Sequence, residues 1–227
     1  MKNTLDDDFY NCSPWIRFDN YNWSNSEFDT YLKVFPKNEV IYRQKEYSDF
    51  VYIIKKSRVR LSIFSKDGNE KCLTIAEEGS MFGELSILDN LPNFTTTTTI
   101  VNCELFLIPI DTFKEIIETD KEFLDKVMQS LVRKIRIMSS HVEDLSFKGA
   151  YSRVASYLIK LVHSHGSLSS GTYKLNIKFT HQEMADLTGL SRVTVSNVMS
   201  YLITQKVISK VKGYIVIQDI EKLFELI

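Results

Sequence analysis

The sequence predicts an α+β protein in three parts: a closed or sandwiched β domain, a long helix, and a small C-terminal domain made of short helices and a hairpin. Three observations predict it. Residues 31–110 carry short runs of extended character separated by turn signals. Near Asp111 the apolar spacing changes to that of a helix. From Thr180 two capped helical stretches follow one another across a glycine. The implied boundaries are 1–110, 111–147 and 148–227.

In the first part Val59, Leu61 and Ile63 alternate with Arg60, Ser62 and Phe64, a period of two with one face inward. Asp67-Gly68 then supplies the positive φ of a tight hairpin, and Cys72-Leu-Thr-Ile75 resumes the extended pattern. Phe50–Ile54, Thr95–Val101 and Glu104–Ile108 are further strands, rich in β-branched and aromatic residues. The threonine run reads as strand rather than as a hydroxyl-lined pocket, and Cys72 and Cys103 as buried thiols.

In the second part Met128, Leu131, Ile135, Met138, Val142 and Leu145 are spaced 3, 4, 3, 4, 3, a heptad seam. So narrow a stripe suits two helices packed along each other. Between its members lie Arg133, Lys134, Arg136, His141, Glu143 and Asp144, which can stay hydrated. Gly149 makes a hinge. Val154, Tyr157, Leu158, Leu161 and Val162 then mark an amphipathic helix ending near Gly166, and Ser167–Gly171 reads as a loop by composition.

The third part carries the sharpest signal. Thr180 with Glu183 three residues on is a capping box, Met184 and Leu187 face inward, and Gly189 supplies a left-handed turn. Ser191 caps a second helix whose buried stripe is Val195, Val198, Met199 and Leu202. Two short helices across a glycine turn make a helix-turn-helix, whose second helix enters the major groove. Its exposed face is Arg192, Val193, Thr194, Ser196 and Asn197. Arginine reaches guanine O6 and N7 together, asparagine pairs with adenine, and valine packs on a thymine methyl. The serine and threonine hydroxyls, those of Ser191 and Thr180 included, serve phosphates or base edges. Val207–Ile217 reads as two strands turning at Lys212-Gly213, a wing that brings Lys210 and Lys212 to the DNA backbone.

Charge agrees with this. The chain has a net charge of −1, yet residues 147–227 carry ten Lys/Arg against five Asp/Glu, leaving −6 for residues 1–146. An acidic first part joined to a basic last part suits a chain whose tail binds nucleic acid. With 44% apolar and 25% charged residues the composition excludes disorder, and no apolar run reaches the ~20 residues of a membrane span. The acidic start lacks a signal peptide's apolar stretch, and the cysteines Cys12, Cys72 and Cys103 are too few and too widely spaced for a disulfide framework. The expectation is a cytoplasmic protein.

Gly79-Ser-Met-Phe-Gly-Glu-Leu85, the long helix after it and Leu190-Ser-Arg-Val-Thr-Val-Ser196 together resemble the Crp/Fnr family over roughly residues 31–220. The resemblance implies a double-stranded β-helix of jelly-roll type, similar to cyclic-nucleotide-binding domains. It also implies a dimerisation helix and a winged helix-turn-helix reading a two-fold site. The implied partners are double-stranded DNA, a second copy of the chain, RNA polymerase and a small-molecule effector, with no membrane. The effector pocket would take in Gly83, Glu84, Leu85, Phe94, Thr95 and Met138.

The departures from the family pattern bear on the effector. Where cyclic-AMP binders carry an Arg-Ser pair for the cyclic phosphate, this chain has Phe94-Thr95, and Met138 stands where they contact adenine. Cyclic AMP is therefore not expected, and Glu84 reads as a turn-stabilising carboxylate rather than a ribose contact. A lone Cys12 cannot hold an iron–sulfur cluster, and the roll has no histidine to ligate haem. No metal site is expected, because His141, His163, His165 and His181 all follow the strands, which also argues against a cupin-type enzyme. The pair His163 and His165 reads as a helix-end pair near solvent. Asn38, Lys45 and Ser57 replace glycines of the family's early turns, so loops of altered conformation are expected there. Val193 and Asn197 replace a Glu and an Arg common in the family, which predicts a half-site richer in A·T. Two other readings remain open: a DNA-binding regulator without effector, and a sensor whose helix-turn-helix docks protein.

Overall fold

The computed structural model describes residues 13–16 and 31–227; Cys12 lies outside them. Two compact units result, Trp15–Ile135 and Arg136–Ile227 with Ser13 and Pro14, and the division falls inside the long helix.

The first unit is a β-roll. One sheet has the order β1-β6-β5-β8-β3, formed by β1 (Trp15–Ile16), β3 (Val40–Tyr42), β5 (Val59–Phe64), β6 (Glu70–Ala76) and β8 (Thr96–Thr99). The other has the order β2-β9-β4-β7, from β2 (Leu32–Phe35), β4 (Phe50–Lys56), β7 (Met81–Phe82) and β9 (Cys103–Pro109). Every pairing is antiparallel except β1 with β6. Two apolar clusters fill the roll. Phe35, Tyr42, Tyr52, Ile54, Val59 and Phe82 belong to one, and Val51, Ile53, Phe106 and Ile108 to the other, where Phe113, Phe123 and Val127 close the packing.

The predicted alternation in β5 fails after Leu61. A register shift lies between Leu61 and Ser62, so Ser62 is buried, Ile63 only half-buried and Phe64 exposed. The buried Ser62 hydroxyl is satisfied by donating to Glu70 at 2.6 Å. At the hairpin only Gly68 has positive φ, with Ser65 N–H bonded to Asn69 and Gly68 N–H to Ser65, a type I turn closed by a glycine. The threonine run forms β8, paired on both sides and wholly buried. Cys72 and Cys103 are buried free thiols. Burial pushes the Cys72 thiol up to about 12.

Asn38, Lys45 and Ser57 stand in the left-handed backbone region without being glycine, at φ values of 64°, 74° and 87°. Surrounding bonds enforce it: Asn38 N–H donates to Thr99 O at 3.0 Å, and Ser57 N–H to the Glu78 carboxylate at 3.3 Å.

After the short α1 (Glu84–Leu88) and the strands come α2 (Ile110–Thr119) and α3 (Lys121–Phe147). The region 111–147 is thus two helices. Asp120 ends the first in an extended conformation and caps the second, its carboxylate accepting from Glu122 N–H and Phe123 N–H. Phe123, Val127, Ser130, Ile137 and Ser140 form the buried stripe of α3, whereas Met128, Ile135, Val142 and Leu145 are exposed. Of the seam residues, Leu131 leans on the roll core, and Met138 is half-buried.

In the second unit α4 (Ala150–His165) buries Val154, Leu158, Leu161 and Val162. The stretch expected to be a loop after it is a hairpin, β10 (Gly166–Ser169) and β11 (Thr172–Leu175), turning at Ser170-Gly171 with φ of 50° and 78°. The one large apolar residue of β10, Leu168, is exposed, so no hydrophobic alternation marks that strand. Then follow α5 (His181–Thr188), α6 (Arg192–Thr204), β12 (Ile208–Val211), β13 (Tyr214–Ile217) and α7 (Ile220–Phe224), with the sheet ordered β10-β11-β13-β12.

Two residues expected to stay hydrated are enclosed. Asp144 binds Lys148 and Lys160 at 2.8 Å each, and the buried Lys160 also donates to Ser140 at 2.7 Å. Lys134 reaches into the first unit's roll and meets Glu84.

Candidate nucleic-acid interface

Both caps at the helix-turn-helix form as the residue types demand. The Thr180 hydroxyl accepts from Glu183 N–H at 3.1 Å, and the Glu183 carboxylate accepts from Thr180 N–H at 2.6 Å. Gly189 sits at φ 68° and directs its N–H to Ala185 O, which also takes the Leu190 N–H and turns the chain out of α5. Ser191 accepts from Thr194 N–H at 3.0 Å and starts α6. Met184 and Leu187 of α5 and Val195, Val198, Met199 and Leu202 of α6 are buried, and the two helices pack on each other and on α4.

That burial leaves a defined outer face. Ser191, Arg192 and Asn197 are exposed, and Val193 is 70% exposed. A valine so open at the start of a helix gains nothing from the protein's own core. Thr194 is half-buried, its hydroxyl 2.8 Å from that of Ser191. Ser196 is likewise half-buried, and its hydroxyl lies 2.8 Å from His181 Nδ1. Thr180 is exposed with its hydroxyl engaged in the cap.

The wing turns at Lys212 and Gly213, both with positive φ (51° and 84°), the pairing a two-residue hairpin requires. Lys210 and Lys212 are exposed on it. Sequence reasoning missed three neighbours. Lys174 and Lys178 each hold their ammonium 4.8 Å from the centre of the Tyr214 ring, and His181 opens α5 beside the recognition helix. The excess of lysines was countable in the sequence; that these two share one aromatic ring was not. Burial, with Lys210 and Arg192 adding to it, holds the His181 imidazole below its ordinary pKa. One face of the second unit therefore gathers cations around a capped, exposed helix, which suits an acidic duplex.

In the roll, Gly83 precedes α1 at φ 84°, and a Cβ there would stand 3.0 Å from the Tyr52 ring and 3.2 Å from Phe50 O. Glu84 is fully buried. Its carboxylate does not close its own turn, because it accepts from Lys134, whose ammonium also donates to Met81 O at 3.1 Å. Thr95 is buried and Leu85 half-buried, but Phe94 is half-exposed and turned out to solvent. Tyr52 stacks on Phe82 at 5.0 Å, with Tyr42 5.8 Å from Tyr52. Burial pushes the Tyr42 phenol up, against the pull of neighbouring threonine hydroxyls. Met138 belongs to the other unit. A cavity of about 250 Å³ in the roll is lined by Ser57, Arg58, Glu77, Glu78 and Val101, none of them an expected effector residue. Among the described residues no group of three or more His, Cys, Asp or Glu is placed to hold a metal ion, and no helix is long and apolar enough to cross a membrane.

A jelly-roll followed by a long helix and a winged helix-turn-helix has the make-up of a DNA-binding regulator. Residues 32–120 match the cyclic nucleotide-binding domain family, and residues 152–226 the Crp-like helix-turn-helix domain family. The chain is 31% identical over 166 residues to a CRP-like cAMP-activated global transcriptional regulator of Mycobacterium tuberculosis, covering 73% of this chain and 74% of that one. It is 26% identical over 180 residues to the global nitrogen regulator of Synechococcus elongatus, covering 78% and 81%. Among solved structures, a CooA mutant from Carboxydothermus hydrogenoformans shares the fold with a TM-score of 0.79 at 20% identity, over 91% of this chain and 92% of that one. A Crp/Fnr-family transcriptional regulator from Thermus thermophilus gives 0.68 at 25% identity, over 86% and 97%. The chain belongs to the Crp/Fnr family of DNA-binding transcription regulators. Its relatives are regulators and not enzymes.

Proposed function

We propose that the chain acts in the cytoplasm as a homodimer that reads a two-fold duplex site, gated by a small molecule other than cyclic AMP held in the roll. The observation that carries the DNA reading is the capped α6, whose open residues Arg192, Val193 and Asn197 stand beside the lysine-bearing wing. Arg192 takes a guanine, Asn197 an adenine and Val193 a thymine methyl, the hydroxyls of Ser191, Thr194, Ser196 and Thr180 serve phosphates or base edges, and Lys210 and Lys212 serve phosphates. The exposed stripe of α3 is the proposed dimer contact, and it sets the two recognition helices about 34 Å apart, one turn of duplex. The working division is a sensor at 1–110, a dimerisation segment at 111–147 whose second helix, α3, makes the contact, and a DNA-binding domain at 148–227, with RNA polymerase as a further partner.

The Mycobacterium relative is described as cAMP-activated. In this chain Phe94 and Thr95 offer no cation to a cyclic phosphate. A second reading, regulation without effector, is favoured by one observation: the Glu84 carboxylate is already paired with Lys134. Selection of bound duplexes from a random pool, with and without small-molecule extracts, tests both readings. Enrichment of a palindrome supports DNA reading, and its dependence on extract separates gated from ungated action. Absence of any enriched duplex refutes the proposal. Cyclic AMP alone is expected to leave the melting temperature unchanged, and a clear shift would overturn the pocket argument.

A further inference from the structure

His181 is the first residue of α5, one position after the Thr180 cap, and it is half-buried against the recognition helix. Its Nδ1 lies 2.8 Å from the Ser196 hydroxyl, so the hydroxyl of a groove-facing helix is tied to a group that changes charge between about pH 5 and pH 8. A serine hydroxyl has one proton and two lone pairs, and a partner that fixes the direction of that proton fixes what the remaining side offers.

We infer that His181 is a positioning residue that sets the hydrogen-bond polarity of Ser196, so that base preference at one position of the half-site changes with protonation. The inference rests on reading α6 as the groove helix. With the imidazole neutral and its proton on Nε2, Nδ1 accepts the Ser196 O–H. The serine oxygen then presents lone pairs outward and matches a donor, the amino group of adenine N6 or cytosine N4. When a proton adds to Nδ1, that nitrogen donates to the serine oxygen. The hydroxyl proton is released outward and matches an acceptor, guanine O6 or thymine O4. One proton is gained and no other bond changes.

The charged surroundings of His181 come from three elements besides its own. Lys210 of β12 and Arg192 of α6 disfavour the imidazolium, in the same direction as burial. On its own helix Glu183 is committed to the Thr180 N–H, and Arg153 of the packed α4 faces the far end of α5, where it donates to Thr188 O. A bound duplex places phosphates beside Lys210 and Arg192 and offsets their charge, which raises the proton affinity of His181 in the complex.

The test uses the selected palindrome and its single-base variants at the position whose preference Ser196→Ala relaxes. Affinities are measured at about pH 5.5 and about pH 8 for the wild type, His181→Gln and Ser196→Ala. The wild type is expected to shift its preference from adenine or cytosine towards guanine or thymine as pH falls, by about tenfold, the worth of one hydrogen bond. Both variants should show the same preference at both pH values. Nitrogen-15 spectra of His181 should show Nδ1 changing from acceptor to donor over the same interval. A wild-type preference that ignores pH, or a shift that survives in either variant, overturns the inference while leaving DNA reading intact. Loss of all duplex binding in the wild type at both pH values would overturn the groove reading itself.

Discussion

The Lys134 ammonium on α3 is shared between the buried Glu84 carboxylate of α1 and the Met81 carbonyl of β7, which joins these two elements to the long helix through one cation. Removing that cation strands a carboxylate away from water, whereas removing both partners does not. Lys134→Met is therefore expected to destabilise the protein by about 3–5 kcal/mol. Glu84→Leu with Lys134→Met should recover most of the loss. Urea denaturation of the three proteins checks this; a double variant as weak as the single one would show that the pair does not act as a unit.

This pair also marks where sequence reading stopped. The caps at Thr180 and Ser191, the Gly189 turn and the Lys212-Gly213 wing were legible because each is local, its partners lying three or four residues away. Lys134 and Asp144 read as hydrated because they sit between apolar seam positions, yet Lys134 pairs with Glu84, 50 residues away, and Asp144 is enclosed by Lys160, 16 residues away, as well as by its neighbour Lys148. Long-range ion pairs leave no spacing to read. The β10–β11 hairpin is marked only by its Ser170-Gly171 turn, because β10 lies exposed and offers no apolar alternation to read.

The left-handed turns at Lys45 and Ser57 give a second prediction. Lys45 and Ser57 hold φ values of 74° and 87°, where a Cβ crowds the backbone. Glycine relieves that strain but loosens the unfolded chain. The strain is the larger of the two, so Lys45→Gly and Ser57→Gly should each stabilise by about 1 kcal/mol. Thermal melts showing a loss at both sites would mean that the side chains contribute more than the strain costs.

Asp144 links stability to acid. Burial opposes its ionisation, but the Lys160 charge and hydrogen bonds from Lys148 and Lys160 outweigh it and hold the carboxyl below its ordinary value. Its stabilising contribution is complete above the ordinary carboxylate pKa of about 3.9 and is lost as pH falls through the lowered native value. Asp144→Asn should cost about 2 kcal/mol at neutral pH and make the acid limb of the stability profile shallower. An unchanged acid limb would assign the acid sensitivity to other carboxylates.

Two substitutions on the proposed DNA face should differ in kind. Arg192→Ala is expected to cost about 1–3 kcal/mol and to relax preference at one base. Lys212→Ala, at the exposed wing turn, should weaken all duplexes alike and lower the salt slope by about one per subunit. Equal losses across all sequences for Arg192→Ala would make it a backbone contact.

The exposed stripe of α3 provides the last prediction. Ile135 is 65% and Val142 63% exposed in the single chain, and Met128 and Leu145 continue the same seam. The other stripe of the helix, Phe123, Val127 and Ile137, is already buried, so the helix carries apolar residues on a face the single chain does not cover. A second copy laid along it would bury them, and a carboxylate at the centre of that contact would be desolvated without a partner. Val142→Asp should therefore convert dimer to monomer in sedimentation velocity while leaving the melting of the roll unchanged. The monomer should also lose palindrome binding yet keep weak affinity for half-sites, because α6 and the wing are complete within one chain. A variant that still sediments as a dimer would place the contact elsewhere on the molecule.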